Sequence, residues 1–478
     1  MLEKLEPILK HLPEIKSPTR VPSLNERLFW TIAVLILFFV MYETTAIGLV
    51  SNRNPADFIS IVTAGRSGSL VTVGIGPIVI ASILLQLLKG AKILKVDLQD
   101  TKQRALFLQT QKMLAIILAF IEAYVFIAAG RVVFIDKNPT TGLFFLVILQ
   151  IAMGSIFLLY MDEIVSRYGI GSGISLFIAA GVSIAIVGST LDTFIGADGI
   201  ISLFNEPTAQ TVALIIQKLI PLFITIAIIL INVYVDGLKI EIPIALGNYR
   251  IGAKGFPIKF LYVSNLPVIL ASAFIIHFQL LAFNIAQHDL YIGDFNIAPY
   301  IAYAEGKNPI ISGISDGLLF FFLPPPHYQL LKIPIITFYQ NYLFATTPIT
   351  KMPGIVHIIV YVVVFTLLCI ISGFLWVETS GMGARDLAEQ LLEVGYTVRG
   401  FRADPRIMES FLNRYIPAIT LLGSAFVGLL AAFADLLGAF GTGTGILLTV
   451  SIFARLHEQF KMYQLYDVYP VLNKFLKD

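Results

Sequence analysis

Charged residues are scarce in this chain of 478 residues. Asp, Glu, Lys and Arg together make up 13% of it, whereas hydrophobic residues make up 57%. Soluble globular domains carry about 25% charged residues. A chain of this length has too little polar surface to cover soluble domains, and it is too apolar to remain disordered. The composition therefore predicts a polytopic membrane protein.

Cysteine is also nearly missing, and so are the common catalytic patterns. The one cysteine, Cys369, lies within an apolar run, which excludes a disulfide framework and a cysteine-rich metal site. The sequence has no HExxH motif and no P-loop. The intramembrane protease pattern Gly-x-Ser-Gly fails because Ile170 stands at its first position. A net charge of +2 gives no broad basic field for nucleic acid. We expect no enzymatic activity and no cofactor.

Ten apolar segments are long enough for membrane helices, which need about 20 residues each. We predict spans at 28–47, 70–88, 108–129, 142–161, 170–190, 212–235, 258–283, 354–377, 415–437 and 439–457. Residues 1–27 hold no apolar run typical of a cleavable signal peptide, so we expect none. Leucines at helical spacing in this segment predict an amphipathic helix, either on the membrane surface or packed on the protein itself.

Basic residues set the expected orientation. Of the 33 lysines and arginines, 24 fall on the side of the two termini, 7 on the other side and 2 within spans. Because basic residues are enriched in cytoplasmic loops, both termini are expected in the cytoplasm. The basic loops 236–259 and 378–414 then lie in the cytoplasm, and the long loop 284–353 lies outside.

The segment 55–68 fits neither a loop nor a span, because it is half apolar and too short to cross a bilayer. It precedes the glycine-rich run 74–77. Backbone of this kind is tolerated at membrane depth only when it is buried in protein or lines a cavity. We therefore predict a re-entrant helix.

The two halves of the chain repeat the same features in the same order. Spans two and seven carry Pro77 and Pro267, each followed by branched residues, and spans five and ten begin with glycine-rich runs at 169–174 and 441–448. Inverted repeats of this kind build transport paths between two halves. We place the boundary between 1–205 and 206–478. Chance similarity is the alternative, since glycine and proline are frequent in membrane helices.

Few ionisable residues fall well inside the predicted spans, and such residues are functional candidates by default. Lys218 is interpreted as a side chain that extends to the membrane surface, and Asp435 as a cap at the tight turn between the last two spans. Glu122 and His277 lie near the middle of their helices and are not explained in this way.

Four motifs carry a resemblance to the SecY family, the large channel subunits of the Sec protein translocon. They are residues 162–176 between spans four and five, 74–79 in span two, 262–269 in span seven and 443–452 in span ten. The resemblance runs from about residue 20 to the C-terminus and has an archaeal or eukaryotic-like style. It implies an all-α fold in which two inverted five-helix halves surround an hourglass pore, with a re-entrant plug helix.

The resemblance implies a ring of aliphatic side chains that closes the pore at mid-membrane. By motif, the ring is Ile75, Val79, Ile170, Ile174, Ile269 and Leu448. Five of the six are β-branched and therefore stiff at χ1, and a narrow apolar constriction can close a pore by excluding water. The alternative is that all six are ordinary core or lipid-facing aliphatics.

The resemblance also implies a plug and a lateral gate. The plug would present Phe58, Ile59, Ile61 and Val62, and the glycines Gly65 and Gly68 would let it swing away. The gate would lie between spans two and seven, with Glu122 and His277 as its polar residues and Ile80 where a threonine is common. If His277 contacts Glu122, mild acid would charge the imidazole and alter opening. An unchanged pH dependence of opening in His277→Asn would exclude this hypothesis.

The partners implied by the resemblance are several. Small SecE/gamma-type and beta-type membrane subunits would complete a heterotrimer, and a ribosome would dock on the cytoplasmic loops. Arg250, Arg399 and Arg402 stand among glycines in those loops and suit binding of RNA phosphate, although they are also explained by topology alone. Signal sequences, nascent polypeptides and lipid would meet the gate.

These features predict a channel in the cell membrane that conducts unfolded polypeptides and releases membrane segments into lipid. A secondary transporter of a small solute is the alternative. That class predicts broken helices converging on polar ligands, whereas this sequence offers an aliphatic ring and a plug. Without a P-loop, the work must come from outside the chain.

Overall fold

The computed structural model describes residues 6–9, 12–20, 22–50, 58–91, 93–94, 96, 100–136, 139–196, 199–205, 211–246, 256–263, 266–288, 290–292, 295–304, 314–325, 335–398 and 404–468. The helices are α1 (Glu6–Leu9), α2 (Leu24–Glu43), α3 (Phe58–Val62), α4 (Gly76–Gly90), α5 (Thr101–Ala128), α6 (Thr141–Tyr168), α7 (Gly173–Ile195), α8 (Ile200–Asn205), α9 (Thr211–Asp236), α10 (Leu266–Gln287), α11 (Ala298–Ile301), α12 (Ile335–Phe344), α13 (Gly354–Thr379), α14 (Ala384–Glu393), α15 (Pro405–Leu412), α16 (Ile416–Leu436) and α17 (Gly443–Val468). A short 3-10 helix covers Leu319–Phe322.

Short strands join into two-stranded antiparallel sheets at the ends of the helix bundle. The strands are β1 (Leu49–Val50), β2 (Val133–Phe134), β3 (Lys239–Ile242), β4 (Ile244–Leu246), β5 (Phe256–Lys259), β6 (Tyr291–Ile292), β7 (Phe295–Asn296) and β8 (Tyr396–Val398). Within the described ranges the pairs are β1 with β2, β3 with β5, β4 with β8 and β6 with β7.

The ten predicted spans correspond to ten helices. Eight of the described helical segments are long and apolar enough to cross a membrane. The second span is α4, which is apolar but has 15 residues. The tenth is α17, whose second half carries charged residues such as Arg455 and Glu458. Two predicted spans begin well before their helices: residues 70–75 form a loop before α4, and residues 258–259 belong to β5, which precedes α10.

The first span shows why a helix starts where it does. Ser23 and Glu26 form a capping box, in which the Ser23 hydroxyl accepts from the Glu26 amide at 3.4 Å. The Glu26 carboxylate accepts from the Ser23 amide at 3.1 Å. Each contact satisfies a backbone donor that the first helical turn leaves unpaired. The pattern Ser-x-x-Glu before an apolar run fixes the start of α2 four residues before the predicted span.

The two ends of the bundle differ in composition and in fold. We call the end that holds residues 12–20, 239–246 and 384–398 the basic face. We call the end that holds residues 290–304, 314–325 and 335–350 the opposite face. Strands β4 and β8 pair on the basic face, and on the opposite face the Tyr339 hydroxyl donates to the carbonyl of Leu436 at the end of α16.

On the basic face the loops 236–259 and 378–414 fold together. Strand β4 of the first loop pairs with β8 of the second, with Ile244 opposite Val398. The hydroxyl of Tyr262 donates to the carbonyl of Met382 at 2.7 Å, and burial raises the pKa of Tyr262 to about 12. A shared apolar core lies beneath them, with Ile242, Ile244, Met408 and Leu412 buried. The two loops therefore form one unit.

On the opposite face Asp316 organises the long loop 284–353. Its side chain accepts from the amide of Gly317 at 2.7 Å and from the amide and hydroxyl of Thr350 at 2.8 Å each. The amide of Ile349 is a further donor. Asp316 is fully buried, and it joins two parts of the loop that are 33 to 34 residues apart in sequence.

The same loop is fixed to α13 by a buried histidine. His357 Nε2 lies 2.9 Å from the carbonyl oxygen of Leu323, and a carbonyl only accepts, so Nε2 carries the proton. His357 Nδ1 therefore accepts from the hydroxyl of Tyr342 in α12. The centre of the His357 ring also lies 3.9 Å from the centre of the Phe320 ring. Helix α12 and the 3-10 helix are thus held against the N-terminal end of α13.

The segment before α2 packs on the protein itself. Within the described part of it, α1 is short and Leu9 is buried. Residues 12–20 lie against α5 and α6, where Glu163 accepts from the amide of Ile15 at 3.2 Å and from Lys112 Nζ at 2.7 Å. Of the two interpretations of the amphipathic pattern, these contacts favour packing on the protein.

Candidate functional site

The predicted plug segment forms the short helix α3, and its apolar side chains are all buried. Phe58, Ile59, Ile61 and Val62 are each at most 7% exposed. The helix packs against α7, α10 and α17. Helix α17 approaches it at Gly445, where a Cβ would lie 3.0 Å from Ile61 Cγ2. A small residue at this position lets α3 seat deeply between the halves.

The chain returns from α3 to α4 through a tightly fixed loop. The amide of Ile75 donates to the carbonyl of Thr63 at 2.9 Å. Gly74 has a φ of +62°, and a side chain there would overlap the Thr63 carbonyl. The Ser155 hydroxyl on α6 donates to the carbonyl of Gly74 at 2.8 Å. This loop therefore connects the plug directly to the first residue of the predicted ring.

The two glycines predicted as hinges differ in their surroundings. The carbonyl of Gly68 accepts from the amide of Ala46 at 2.9 Å, beside the bridge between Thr45 and Ser69. Next to it, Arg66 is 8% exposed and pairs with Glu43 at 2.6 Å. The amide of Gly65 instead donates to the carbonyl of Ser60, within the plug. Gly68 thus belongs to an anchored turn, and only Gly65 lies at the junction with α3.

The structure brings five of the six predicted ring residues into one apolar cluster. These are Ile75, Val79, Ile174, Ile269 and Leu448, together with Ile61 of the plug. The sixth, Ile170, is 4% exposed but lies outside this cluster, in the turn before α7. The elements that contribute these residues are far apart in sequence, so the cluster forms where the two halves meet.

Two side chains that the sequence interpretation missed hold the predicted ring residues Ile170 and Ile174 in place. The Asp162 carboxylate accepts from the amide of Ile174 at 2.9 Å and from the hydroxyl of Ser172 at 3.1 Å. The Thr31 hydroxyl accepts from the amide of Ile170 at 3.0 Å. Asp162 lies inside α6 and 12 residues before Ile174, so no local helix-start pattern in the sequence indicates this contact.

The turn before the tenth span has a similar arrangement. Asp435 Oδ1 accepts from the amide of Gly443 at 2.6 Å, and Oδ2 accepts from the hydroxyl of Tyr361 at 3.2 Å. This confirms the predicted cap. The turn between α16 and α17 places Gly438, Gly441 and Thr442 at positive φ, a conformation that glycine adopts without strain. Leu448 follows in the first turns of α17.

The predicted gate residues line one small cavity. It has a volume of about 30 Å³, is bounded by α3, α4, α5, α7 and α10, and includes Ile80, Glu122 and His277 in its wall. A cavity of this size holds a water molecule or two. The sequence therefore identified three residues that the fold places together at the seam between α4 and α10.

Glu122 and His277 are not hydrogen bonded to each other among the described residues. Glu122 is 7% exposed, and its Oε1 has no partner within the described part of the chain. His277 is exposed, and its Nδ1 lies 2.6 Å from the carbonyl of Ala273 one turn earlier. That carbonyl only accepts, so Nδ1 carries the proton and Nε2 of the neutral ring is an acceptor. A direct contact between the two side chains is not observed.

The predicted ribosome-binding residues Arg250, Arg399 and Arg402 lie outside the described residues. The strands that lead to them, β4 and β8, are described and paired. Elsewhere in the described ranges, no group of three or more His, Cys, Asp or Glu side chains is arranged to hold a metal ion.

Comparison with known proteins gives consistent results. The SecY family model matches residues 69–457. The protein translocase subunit SecY of Methanococcus vannielii is 39% identical over 477 residues, which cover 99% of each chain. The subunit of the same name from Methanocaldococcus jannaschii is 38% identical over 477 residues, 99% of this chain and all of the relative.

Solved structures agree with these relatives. A structure of a protein-conducting channel superposes with a TM-score of 0.77 at 37% identity and covers 98% of both chains. Sec61 in the canine ribosome-channel complex from the endoplasmic reticulum superposes with a TM-score of 0.73 at 37% identity, again over 98% of both chains. The family model, the full-length relatives and the shared fold lead to one conclusion: the chain belongs to the SecY family.

Proposed function

We propose that this chain is the channel-forming subunit of a protein translocase. Unfolded polypeptides would cross the membrane between the two halves, and membrane segments would leave sideways between α4 and α10. The observation that carries the proposal is the buried apolar cluster in which the plug meets ring residues from α4, α7, α10 and α17. Relatives that match the whole chain are named protein translocase subunit SecY.

The resting state would be closed by packing alone. Burying an aliphatic or aromatic side chain stabilises by about 1.5–3 kcal/mol, so the four apolar side chains of α3 contribute about 6 kcal/mol or more. At 1.4 kcal/mol per factor of ten, spontaneous displacement of the plug is rare, of order one molecule in 10⁴. A polypeptide that enters the pore would replace those contacts with its own side chains.

Aliphatic side chains suit this task because their contacts, unlike hydrogen bonds, do not depend on direction. A ring of hydrogen-bonding groups would hold some client residues and reject others, whereas apolar side chains close around any chain at similar cost. When the pore is empty, the same side chains exclude water and therefore ions. Conduction of polypeptide and retention of ions would thus follow from one set of residues.

The gate would open at the cavity lined by Ile80, Glu122 and His277. The unpaired Oε1 of Glu122 costs about 1–3 kcal/mol while it is buried, and it would regain a hydrogen bond when the seam opens to water or to a polar client group. The arrangement therefore lowers the free energy of opening. We expect Glu122→Leu to favour the closed gate.

The partners and location follow from the same assignment. We propose that small SecE/gamma-type and beta-type subunits complete the complex, that it resides in the cell membrane, and that both termini are cytoplasmic, in agreement with 24 of 33 basic residues on that side. We further propose that the chain performs no catalysis. It contains no P-loop, so a ribosome or folding beyond the membrane would supply the work.

Cross-linking from a stalled client tests the channel. A photoreactive residue would replace Ile174 or Leu448, and matched probes at lipid-facing Leu230 and Ile359, 63% and 56% exposed, would be the controls. We expect the stalled polypeptide to cross-link at Ile174 and Leu448 and lipid to react at the controls. Client cross-links confined to Leu230 and Ile359 would refute the pore assignment.

Charge reversal tests ribosome docking. Arg402→Glu should weaken ribosome binding by about tenfold and reduce its dependence on salt, because phosphate contacts release counterions. The matched control is Arg385→Glu on α14, since the Arg385 side chain is exposed and pairs only weakly with Glu389 at 3.4 Å. Unchanged binding in Arg402→Glu, or equal loss in both variants, would exclude a specific docking role.

A further inference from the structure

The C-terminal end of α17 contacts Arg27, which lies in the first turn of α2. The Arg27 guanidinium carbon lies 4.2 Å from the centre of the Tyr463 ring. Arg27 Nη1 donates to the carbonyl of Gly169 at 2.9 Å, and Nε donates to the carbonyl of Pro22 at 3.3 Å. One arginine thus joins three parts of the chain: the start of α2, the turn before α7 and the end of α17.

The turn that Arg27 holds carries the ring residue Ile170. The Thr31 hydroxyl donates to the carbonyl of Arg27 at 2.8 Å and accepts from the amide of Ile170 at 3.0 Å. The Arg27 side chain therefore contacts this turn at Gly169, and the Arg27 backbone carbonyl orients the Thr31 hydroxyl that accepts from Ile170. The adjacent Gly171 has a φ of +80°, and a Cβ there would lie 2.8 Å from Leu456 on α17. Helix α17 covers the turn closely.

We infer that Tyr463 and Arg27 are positioning residues, through which the basic-face end of α17 sets the position of the turn that carries the predicted ring residue Ile170. The inference rests on the pore assignment proposed above. An arginine over an aromatic face is attracted by the ring quadrupole, and its planar group keeps its donors free for a carbonyl. A partner that displaces the end of α17 would then loosen Ile170.

The second ring residue of α7 supplies an internal comparison. Ile174 is held by Asp162, whose hydrogen bonds do not involve α17. Loss of the contact between Arg27 and Tyr463 should therefore release Ile170 and leave Ile174 in place. A general loss of stability would affect both positions alike, so the two positions separate a positioning role from a structural one.

Thiol accessibility measures this difference. The full complex would be reconstituted in vesicles with Ile170→Cys or Ile174→Cys. A membrane-impermeant thiol reagent would be added on the basic-face side. The native Cys369 is fully buried and should not react. Tyr463→Leu and Arg27→Gln should each raise the alkylation rate at position 170 by about threefold. Their combination should do no more than either alone, and the rate at position 174 should not change.

Conservative variants keep the test decisive if Tyr463→Leu fails to assemble. Tyr463→Phe retains the ring and should leave both rates unchanged, as should Met462→Ala at the neighbouring position, which is 53% exposed. Arg27→Lys keeps the charge but loses the planar donor group, so it should raise the rate at position 170. An unchanged rate at position 170 in Arg27→Lys and Tyr463→Leu, or an equal rise at 170 and 174, would overturn the inference.

A stalled client separates this inference from the proposed function. If the pore assignment is correct, the client should protect both cysteines from the reagent in the otherwise unaltered chain. Protection combined with no response to the Tyr463 and Arg27 variants would refute only the role of α17. Lack of protection at both positions would refute the pore assignment itself.

Discussion

The turn between α6 and α7 and the turn between α16 and α17 have the same construction at opposite faces of the molecule. In each, an aspartate near the end of one span accepts hydrogen bonds from the start of the next: Asp162 from the amide of Ile174, and Asp435 from the amide of Gly443. Each cap precedes ring residues. The repeat seen in the sequence therefore extends from glycine patterns to a shared hydrogen-bonding arrangement.

The surroundings of the two turns are different. Asp162 is half-buried next to Glu163, which pairs with Lys112 and Arg167. Asp435 is 5% exposed, bonds to the fully buried Tyr361, and lies beside Leu436, whose carbonyl accepts from Tyr339 of the long loop. The first turn therefore lies among charged residues, whereas the second lies beneath the long loop 284–353. The covered turn should therefore contribute more to stability.

The largest effect is expected from Asp435→Ala. It leaves the Gly443 amide and the Tyr361 hydroxyl unpaired in a buried site, which costs about 3 kcal/mol. Thermal unfolding of the purified complex would measure the loss, with Asp192→Ala, at an exposed aspartate on α7, as the control. Tyr361→Phe, which removes one hydroxyl, should cost about 1 kcal/mol. Equal midpoints for Asp435→Ala and Asp192→Ala would contradict the comparison.

A smaller effect is expected when Asp316→Asn loosens the hydrogen bonds that hold the long loop 284–353 together. The amide would face the donor groups of Ile349 and Thr350, at a cost of about 2 kcal/mol. Limited proteolysis from the opposite face should then cut loop 284–353 faster while the basic loops keep their resistance. Cleavage at an unchanged rate would show that Asp316 does not stabilise loop 284–353.

The same residue predicts a pH dependence. Desolvation acts to raise the pKa of Asp316, but hydrogen bonds from Thr350, Gly317 and Ile349 outweigh it and hold the pKa below its ordinary value. A lowered folded-state pKa gives stability that is complete above the unfolded value of about 4 and is lost as pH falls through the folded value. Resistance of the loop to protease should therefore fall in acid, and Asp316→Asn should remove most of this dependence.

The smallest loss of stability is expected from Asp162→Ala, about 1 kcal/mol, as is typical of helix caps. Its functional effect should be larger, because the amide of Ile174 loses its acceptor and the ring residue gains freedom. Ion leak through the resting channel would report this, with Asp100→Ala, a cap at the start of α5, as the control. Leak that rises equally in both variants would show that the cap does not position the ring.

The spans were predictable because a bilayer imposes a length and an apolar composition that can be counted along the chain. The first residue of a helix was less predictable, because local hydrogen bonds and turns decide it. The capping box at Ser23 starts α2 earlier than hydropathy suggests, and the loop around Gly74 makes α4 start later. The predicted gate residues Ile80, Glu122 and His277 line one cavity. Whether Glu122 and His277 touch depends on rotamers, which a sequence does not specify.

Other features depend on contacts between distant residues. The pairing of β4 with β8, the burial of Asp316 and the contact between Arg27 and Tyr463 join segments more than 30 residues apart, and no local pattern indicates such partners. The exclusion of Ile170 from the ring cluster has the same origin. Its backbone amide is bound by Thr31, and α17 lies close to the adjacent Gly171.

The ladder between β4 and β8 has a mechanical consequence. Its hydrogen bonds tie the connection between α9 and α10 to the connection between α13 and α16. A force on either loop would pass through this ladder to the other loop. Four spans would then receive the force at once, so a large object resting on one tip would tilt a bundle of helices rather than unravel a loop.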